Sequence, residues 1–367
     1  MSTNDFLEDA LTSHQTFLLR YGKRVSRDVM DEINKALALI EDAILTGGDT
    51  VLRTANLVQI RNLVSGLDTW ENVNGIIIEG STDLAIHEVA YMEDLFVTAT
   101  TATTNTIVRT SPAVLFESIA GKKMLLRGAS GRNQFLTIAE ATNTFTSKVP
   151  RDVISTIQKG VSDGDSVGTI SRNVNRMVNT RTRNESEALT RTITNFVGTE
   201  SRMVASKTNS DLLQGERYTA TLDSRTTFIC MSNDGKIFPV GLGLMPPAHW
   251  NCRSVRVAVV KPQYQLPGLV GERPEITINK DGSSKRGTVS AKVTYSGWLK
   301  RQPAAFQDDV LGPERGKLFR SGKVKLDKFV DTSGRTFTLR ELADSDKAVA
   351  DSLAAHYGGN IKPSTER

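Results

Sequence analysis

Apolar residues recur every three or four positions through Leu18, Tyr21, Val25, Val29, Ile33, Leu37, Ile40 and Ile44, the spacing that brings side chains onto one face of an α-helix. This stripe predicts a long amphipathic helix ended by Gly47-Gly48, with Asp49 or Thr50 as the cap of the next one. Leu57, Ile60, Val64 and Leu67 keep the period, and a third helix is expected from near Ser81 with Leu84, Tyr91 and Leu95 on its apolar face. A stripe of this length serves either as core or as the seam for a partner helix. His14 and His87 fall inside these patterns and read as packed or surface histidines rather than ligands.

The helical period stops at Val97. Thr98, Thr100, Thr101, Thr103, Thr104 and Thr106 are β-branched and without helical spacing, so the chain to Thr110 reads as an extended, strand-like linker. Gly121 to Asn133 is basic and glycine-rich (Gly121, Lys122, Lys123, Arg127, Gly128, Gly131, Arg132) but lacks the Walker arrangement, and reads as a flexible loop. Helices are expected to resume after Pro150, first with Val153, Ile154, Ile157 and Val161, then past Gly164 with Ile170, Val174 and Val178. A further helix from about Glu185 to Lys207 would bury Leu189, Ile193, Phe196, Met203 and Val204. Arg172, Arg176, Arg181 and Arg183 occur with no acid among them. Some share a helix face and could meet DNA phosphates; the alternative is a solvated side balanced by Glu185 and Glu187.

Residues 218 to 256 hold the densest chemistry. A strand is expected ahead of Leu222, Asn233-Asp234-Gly235 is a strong turn signal, Gly241, Gly243 and Pro246-Pro247 make an irregular loop, and 255–260 is a strand by composition. Asp223 and Arg225, two apart, would face one side of a strand, and Arg253 could pair with Asp223 or Asp234. Such pairs would lock a loop-rich fold, so loss of Asp223 or Arg225 should destabilise it. Beyond it, Pro262 to Lys285 reads as an arm or linker and Thr288 to Val293 as a short strand. One helix should run from Ser296 to about Val310, another carry Leu318 and Phe319, and a last one open at the capping box Thr338-Leu-Arg-Glu341 and end near Tyr357.

Composition narrows the function classes. A chain of 367 residues with 38 % hydrophobic and 24 % charged residues can build a real core over two or three modules. A net charge of +5 favours anionic partners only mildly. Two cysteines, Cys230 and Cys252, exclude a disulfide framework. No apolar stretch is long enough for a membrane span and no secretory signal is visible, which points to synthesis and use in the cytoplasm or inside something assembled there.

The order Asp223-Ser-Arg225-Thr226, Cys230, Asp234-Gly235-Lys, then Pro246-Pro-x-His249-x-Asn251-Cys252-Arg253 resembles the signature of the Mu F-like phage minor head proteins. The downstream blocks at 294–303, 309–313, 315–322, 329–335 and 339–342 resemble the tail segment of many of these proteins, and the likeness covers roughly residues 150 to 345. Over the N-terminal third only the helical pattern speaks; together with the likeness it gives a predominantly helical α+β protein: a helical N-terminal docking region (1–110), a linker or irregular segment (111–150), a compact α+β Mu F-like module (151–260), and a linker with a small helical C-terminal region (261–367). The likeness implies a minor virion protein inside the phage head near the portal vertex, made in the bacterial host cytoplasm and acting in head assembly, with a role in genome packaging or ejection to be tested. The implied partners are the portal protein, other head proteins and packaged double-stranded DNA, in several copies around the portal and with no membrane. No catalytic residue is carried over and no cofactor is required.

Many relatives have a Cys-x-x-Cys ahead of the Asp-Gly turn, a spacing that suggests zinc. Here Thr227 stands at the first of those positions. Cys230, His249 and Cys252 remain, with Asp223 or Asp234 needed to complete a tetrahedron; a close thiol pair or disulfide is the simpler expectation. An enzyme, whether a metal-dependent nuclease or an ADP-ribosyltransferase, is the competing class. Against it, His249 is the only one of four histidines in a motif-like context, with no second histidine or acidic cluster beside it.

Overall fold

The computed structural model describes residues 2–46, 52, 54–102, 106–127, 133–279, 281–331, 334–345, 347 and 349–351. Helix α1 spans Thr3–Leu45 and buries Leu7, Leu11, Leu18, Val25, Val29, Ile33, Leu37, Ile40 and Ile44, so the apolar stripe reaches further toward the N-terminus than its periodicity indicated. The Asp5 carboxylate accepts the Ser2 backbone N–H at 3.0 Å, satisfying a donor at the helix start. The predicted Gly47-Gly48 stop and the Asp49 or Thr50 cap lie outside the described residues. Helices α2 (Thr54–Gly66) and α3 (Thr69–Ala99) follow.

Helix α3 begins well before the expected start near Ser81. Val73 and Ile77 extend its buried face backward in steps of four, and this outweighs the weakening effect of Gly75 and Gly80. Gly80 has a packing reason: a Cβ there would meet Val25 Cγ2 at 3.2 Å, and its carbonyl accepts from Tyr21 OH at 2.7 Å. The helix also takes in Val97 and Thr98, so the extended stretch starts only at Thr100, which bridges Gln265. Residues 106–110 form no strand, and Thr103 and Thr104 fall outside the described residues.

The segment expected to be irregular before Pro150 is largely regular secondary structure among the described residues. It holds α4 (Pro112–Ala120), an antiparallel hairpin of β1 (Met124–Arg127) and β2 (Asn133–Leu136), and α5 (Ile138–Ser162). The basic glycine-rich stretch is therefore partly a hairpin; its Gly128, Gly131 and Arg132 are outside the described residues. Pro150 sits inside α5 rather than before a helix. One buried stripe (Ile138, Ala141, Phe145, Val149, Val153, Ile157) and a Thr137/Glu140 capping box, with bonds of 3.1 and 2.8 Å, hold the helix despite the lost N–H.

Helix α6 (Val167–Met177) runs through one π-turn at Val178–Thr182 into α7 (Arg183–Thr208). Helix α7 packs against both α1 and α3 and is buried along most of its length, which makes it the axis of the helical region. Strand β3 (Leu213–Thr219), helix α8 (Phe228–Asn233), strand β4 (Ile237–Phe238) and strand β5 (Val255–Val260) follow, the strands forming an antiparallel sheet in the order β4-β3-β5.

The arm expected over Pro262 to Lys285 is instead mostly a hairpin of β6 (Glu272–Ile278) and β7 (Ser284–Ser290), which also replaces the strand expected to reach Val293. Arg273, Glu275 and Thr277 alternate with Pro274, Ile276 and Ile278, and Gly282 at φ 83° turns the chain. The single helix expected over 296–310 is two, α9 (Tyr295–Leu299) and α10 (Ala304–Leu311). Pro303 lacks an N–H and disfavours helical backbone at Gln302, which separates them. Helices α11 (Pro313–Arg320) and α12 (Leu339–Ser345) follow, α12 with its Thr338/Glu341 capping box; the expected end at Tyr357 lies outside the described residues.

The fold is α+β and predominantly helical, with a helical N-terminal region and a small C-terminal one. Among the described residues two hydrophobic clusters form. One gathers α1 to α7 and β5, from Leu7 to Val260; the other gathers Tyr218, Cys230 and Cys252 with Trp298, Phe319, Phe329 and Leu342. The β3–β5 pair lies between them, giving Val257 to the first and Tyr218 to the second. No described helix is long and apolar enough to cross a membrane.

Candidate functional site

Between the clusters lies a set of buried charges and sulfurs. Asp223 is 2 % exposed and does not lie on a strand; it follows β3 in a tight turn where its Oδ1 accepts the backbone N–H of Arg225 at 3.0 Å and Thr226 Oγ1–H at 3.1 Å. The Arg253 guanidinium clamps both Asp223 oxygens, Nη2 donating to Oδ1 at 2.9 Å and Nη1 to Oδ2. Burial pushes the Asp223 carboxyl up, but Arg253 and the local donors outweigh it and hold the group below the ordinary aspartate range. Arg225 stands outside this lock. Its side chain is 77 % exposed and 3.9 Å from Asp223, so only its backbone takes part.

Of the two partners left open for Arg253, Asp223 is the one it takes. Asp234 is held by Arg273, which is 3 % exposed and donates to Oδ1 at 2.5 Å and Oδ2 at 3.1 Å. Asp234 also accepts the backbone N–H groups of Ala220 at 2.6 Å and Tyr295 at 2.5 Å, tying the turn to β3 and α9. Gly235 adopts φ 83°, and its N–H returns to Tyr218 O at 2.8 Å. Arg273 lies 4.0 Å from the fully buried Glu8 of α1, which Arg217 approaches at 3.5 Å and to which Thr219 donates at 3.1 Å. Desolvation raises the Glu8 pKa, against the pull of Arg273 and Arg217.

The 246–254 loop is seated on α7. Asn251 takes φ 60°, a conformation asparagine tolerates better than most residues. Its N–H donates to Thr192 Oγ1 at 3.0 Å and its side-chain oxygen accepts from Arg191 at 2.6 Å, while Asn195 donates to the carbonyls of Cys252 at 3.0 Å and Ser254 at 3.3 Å. Arg273, Glu8, Arg191 and Asn195 were not singled out by the sequence pattern. The one local signal was Arg273, a charge in an alternating strand-like run.

The loop delivers His249 and Cys252 to Cys230 of α8. The thiols are free, both buried, with sulfurs 3.8 Å apart; His249 Nε2 is 3.3 Å from Cys230 Sγ, and Tyr218 OH 3.2 Å from it. His249 Nδ1 lies 2.7 Å from Trp250 O, which fixes the proton on Nδ1 and turns the Nε2 lone pair toward sulfur. Burial pushes the Cys230 thiol well up. Burial also opposes ionisation of Cys252, but Cys230 and His249 outweigh it and draw that thiol well down. Burial opposes charging His249 too, yet Cys252 raises its pKa. Zinc–sulfur bonds of about 2.3 Å at the tetrahedral angle place two sulfurs about 3.8 Å apart, so these three residues could hold such an ion. Asp223 and Asp234, the expected fourth ligands, are committed to arginines and are not in the three-residue group. A crevice lined by Thr226, Cys230, His249 and Arg253 leaves room for a small fourth ligand from solvent.

The four arginines are exposed on the α6–α7 surface. Arg181 turns to Glu185 at 3.2 Å and Asp152 at 3.9 Å, whereas Glu187 faces Arg191 at 3.9 Å. Arg172 and Arg183 donate to neutral partners, Thr169 at 3.0 Å and Asn179 at 3.2 Å, and Arg176 has no carboxylate partner among the described residues.

Residues 151–257 match the family model of the phage Mu protein F like proteins, a segment that runs from within α5 to β5 and contains the Asp223–Arg253 clamp and the thiol–imidazole group. No curated protein and no solved structure matches the chain. This segment is therefore similar to the phage Mu protein F like proteins.

Proposed function

We propose that the protein is a minor component of a phage head, acting in head morphogenesis from a position inside the virion at the portal vertex, in several copies and in contact with the portal protein. The observation that carries this reading is the match of residues 151–257 to the phage Mu F-like proteins, over the stretch that holds the Asp223–Arg253 clamp. The chemistry of the site agrees with a structural role. Both His249 nitrogens are engaged, one by a carbonyl and one by sulfur, and both motif carboxylates are neutralised by arginines, so none is poised as a general base. The reading requires no cofactor; zinc is the one addition the donor set of Cys230, His249 and Cys252 accepts.

Mass spectrometry of purified virions, together with a pull-down of the tagged chain against the portal protein, tests this. Low-copy presence in mature heads with portal binding is the expected result; absence from the virion would refute it.

A second reading, contact with packaged or ejected double-stranded DNA, is supported by Arg172, Arg176 and Arg183, exposed and without a carboxylate partner among the described residues. Replacing all three with alanine should lower the dependence of log Kd for duplex DNA on log salt by roughly one per lost phosphate contact. An unchanged slope would remove these arginines from any DNA surface.

A further inference from the structure

We propose a divalent transition-metal site in the helical region, formed by His14 of α1 with His87 and Glu88 of α3. Ligand atoms of all three lie within 4.8 Å of one another. His14 Nε2 is 2.6 Å and His87 Nδ1 3.1 Å from the same oxygen, Glu88 Oε1. The other oxygen, Oε2, accepts from the buried Arg202 of α7 at 2.7 Å. Arg202 thus fixes the carboxylate's orientation and balances its charge, the part an outer partner plays around a metal ligand. An ion would replace the protons that the two imidazoles share with Glu88 Oε1, because histidine ligates through a ring-nitrogen lone pair.

The rings are held for this. His14 stacks on Tyr91 at 4.0 Å between centroids and on Phe17 at 4.9 Å, Phe17 stacks on His87 at 4.9 Å, and the two imidazole planes are within 4° of parallel. Two imidazoles and one carboxylate suit zinc or cobalt, whose bonds of about 2.0–2.2 Å at the tetrahedral angle need donors about 3.3–3.6 Å apart; the His87–Glu88 pair at 3.1 Å is close to this, and the His14–Glu88 pair at 2.6 Å would open as the ion enters. Glu88 is fully buried and His14 nearly so, but the His87 side chain is 49 % exposed, which provides access for the ion and an open position for water. A bound ion would pin α1 to α3 through residues that share no ligand with the thiol group.

The test is equilibrium dialysis of the full chain against zinc, with bound metal measured by mass spectrometry, for wild type, His87→Ala and His87→Cys. Because His87 is half-exposed, its replacement should leave the circular dichroism spectrum unchanged, which shows that the variant is folded. The wild type should bind one equivalent more than His87→Ala whatever the thiol site holds, and His87→Cys should restore it. At a hundredfold excess over Kd, that extra equivalent should raise the wild-type Tm by roughly 5 °C relative to His87→Ala. Equal metal content in wild type and a folded His87→Ala protein would overturn the proposal.

Discussion

Asp223→Ala offers the sharpest test of the buried locks. The substitution removes the acceptor of four hydrogen bonds: two from Arg253, one from the Arg225 backbone and one from Thr226. It leaves behind a guanidinium whose side chain is only 13 % exposed. Breaking a buried pair by deleting one partner costs about 3–5 kcal/mol, chiefly the penalty of an uncompensated charge. That is a large share of the ~5–15 kcal/mol by which domains are stable. Arg225→Ala, by contrast, removes an exposed side chain and should cost less than about 1 kcal/mol. In Asp223→Ala/Arg253→Met no charge is stranded, so the double variant should lose markedly less than the sum of the singles. Urea unfolding followed by circular dichroism and tryptophan fluorescence measures wild type, Asp223→Ala, Arg253→Met, the double variant and Arg225→Ala, read as shifts in midpoint at constant slope. A loss below about 1 kcal/mol for Asp223→Ala, or equal losses at 223 and 225, would refute the clamp.

Other outcomes follow from the same geometry. Arg273→Met should cost about 3–5 kcal/mol, because Asp234 loses both guanidinium bonds and the carbonyls of Val293 and Ala220 lose a donor; faster limited proteolysis of the 262–294 region would reveal it, and wild-type kinetics would contradict it. On acidification, the Asp223 contribution is fully present above the unfolded aspartate pKa of about 3.9 and is lost as pH falls through its lower folded value. Glu8, raised by burial, works in the opposite sense, so the wild-type minus Asp223→Asn difference in stability isolates Asp223 and should shrink below about pH 4. An unchanged difference would show that Asp223 gains nothing from Arg253. Cys230 and Cys252, each 1 % exposed, should resist a thiol reagent in the native protein and react fully in denaturant; rapid native labelling would contradict the buried clasp.

Much of the helical region can be read from local periodicity, since a three-to-four spacing reports which face is buried whatever covers it. Periodicity falls short where tertiary packing carries a helix through a local breaker, as at Gly75 and Gly80 inside α3 and at Pro150 inside α5. In the site, Cys230, His249 and Cys252 lie together. Which carboxylate takes Arg253 was not legible. The answer depends on Arg273, which claims Asp234 from a hairpin that composition alone had made a linker. Glu8 was equally silent, because its role comes from where the first turns of α1 dock, and nothing in its neighbourhood encodes a contact 211 residues away.

The β4-β3-β5 sheet, walled on one side by long helices and on the other by the aromatic cluster around Trp298, bears on how this protein can be dissected. Residues 151–257 hold the family signature, yet expressed as a fragment they would lose α1 and α3 from α7 and the Trp298 side from β3. Phe196, Val197, Val257 and Tyr218 would then face water, and Glu8, Arg273 and Tyr295 would be gone from the polar seam. Such a fragment would precipitate or associate through its stripped faces. A transplant of the signature into another scaffold must carry its neighbours with it, because the unit of recognition is smaller than the unit of folding.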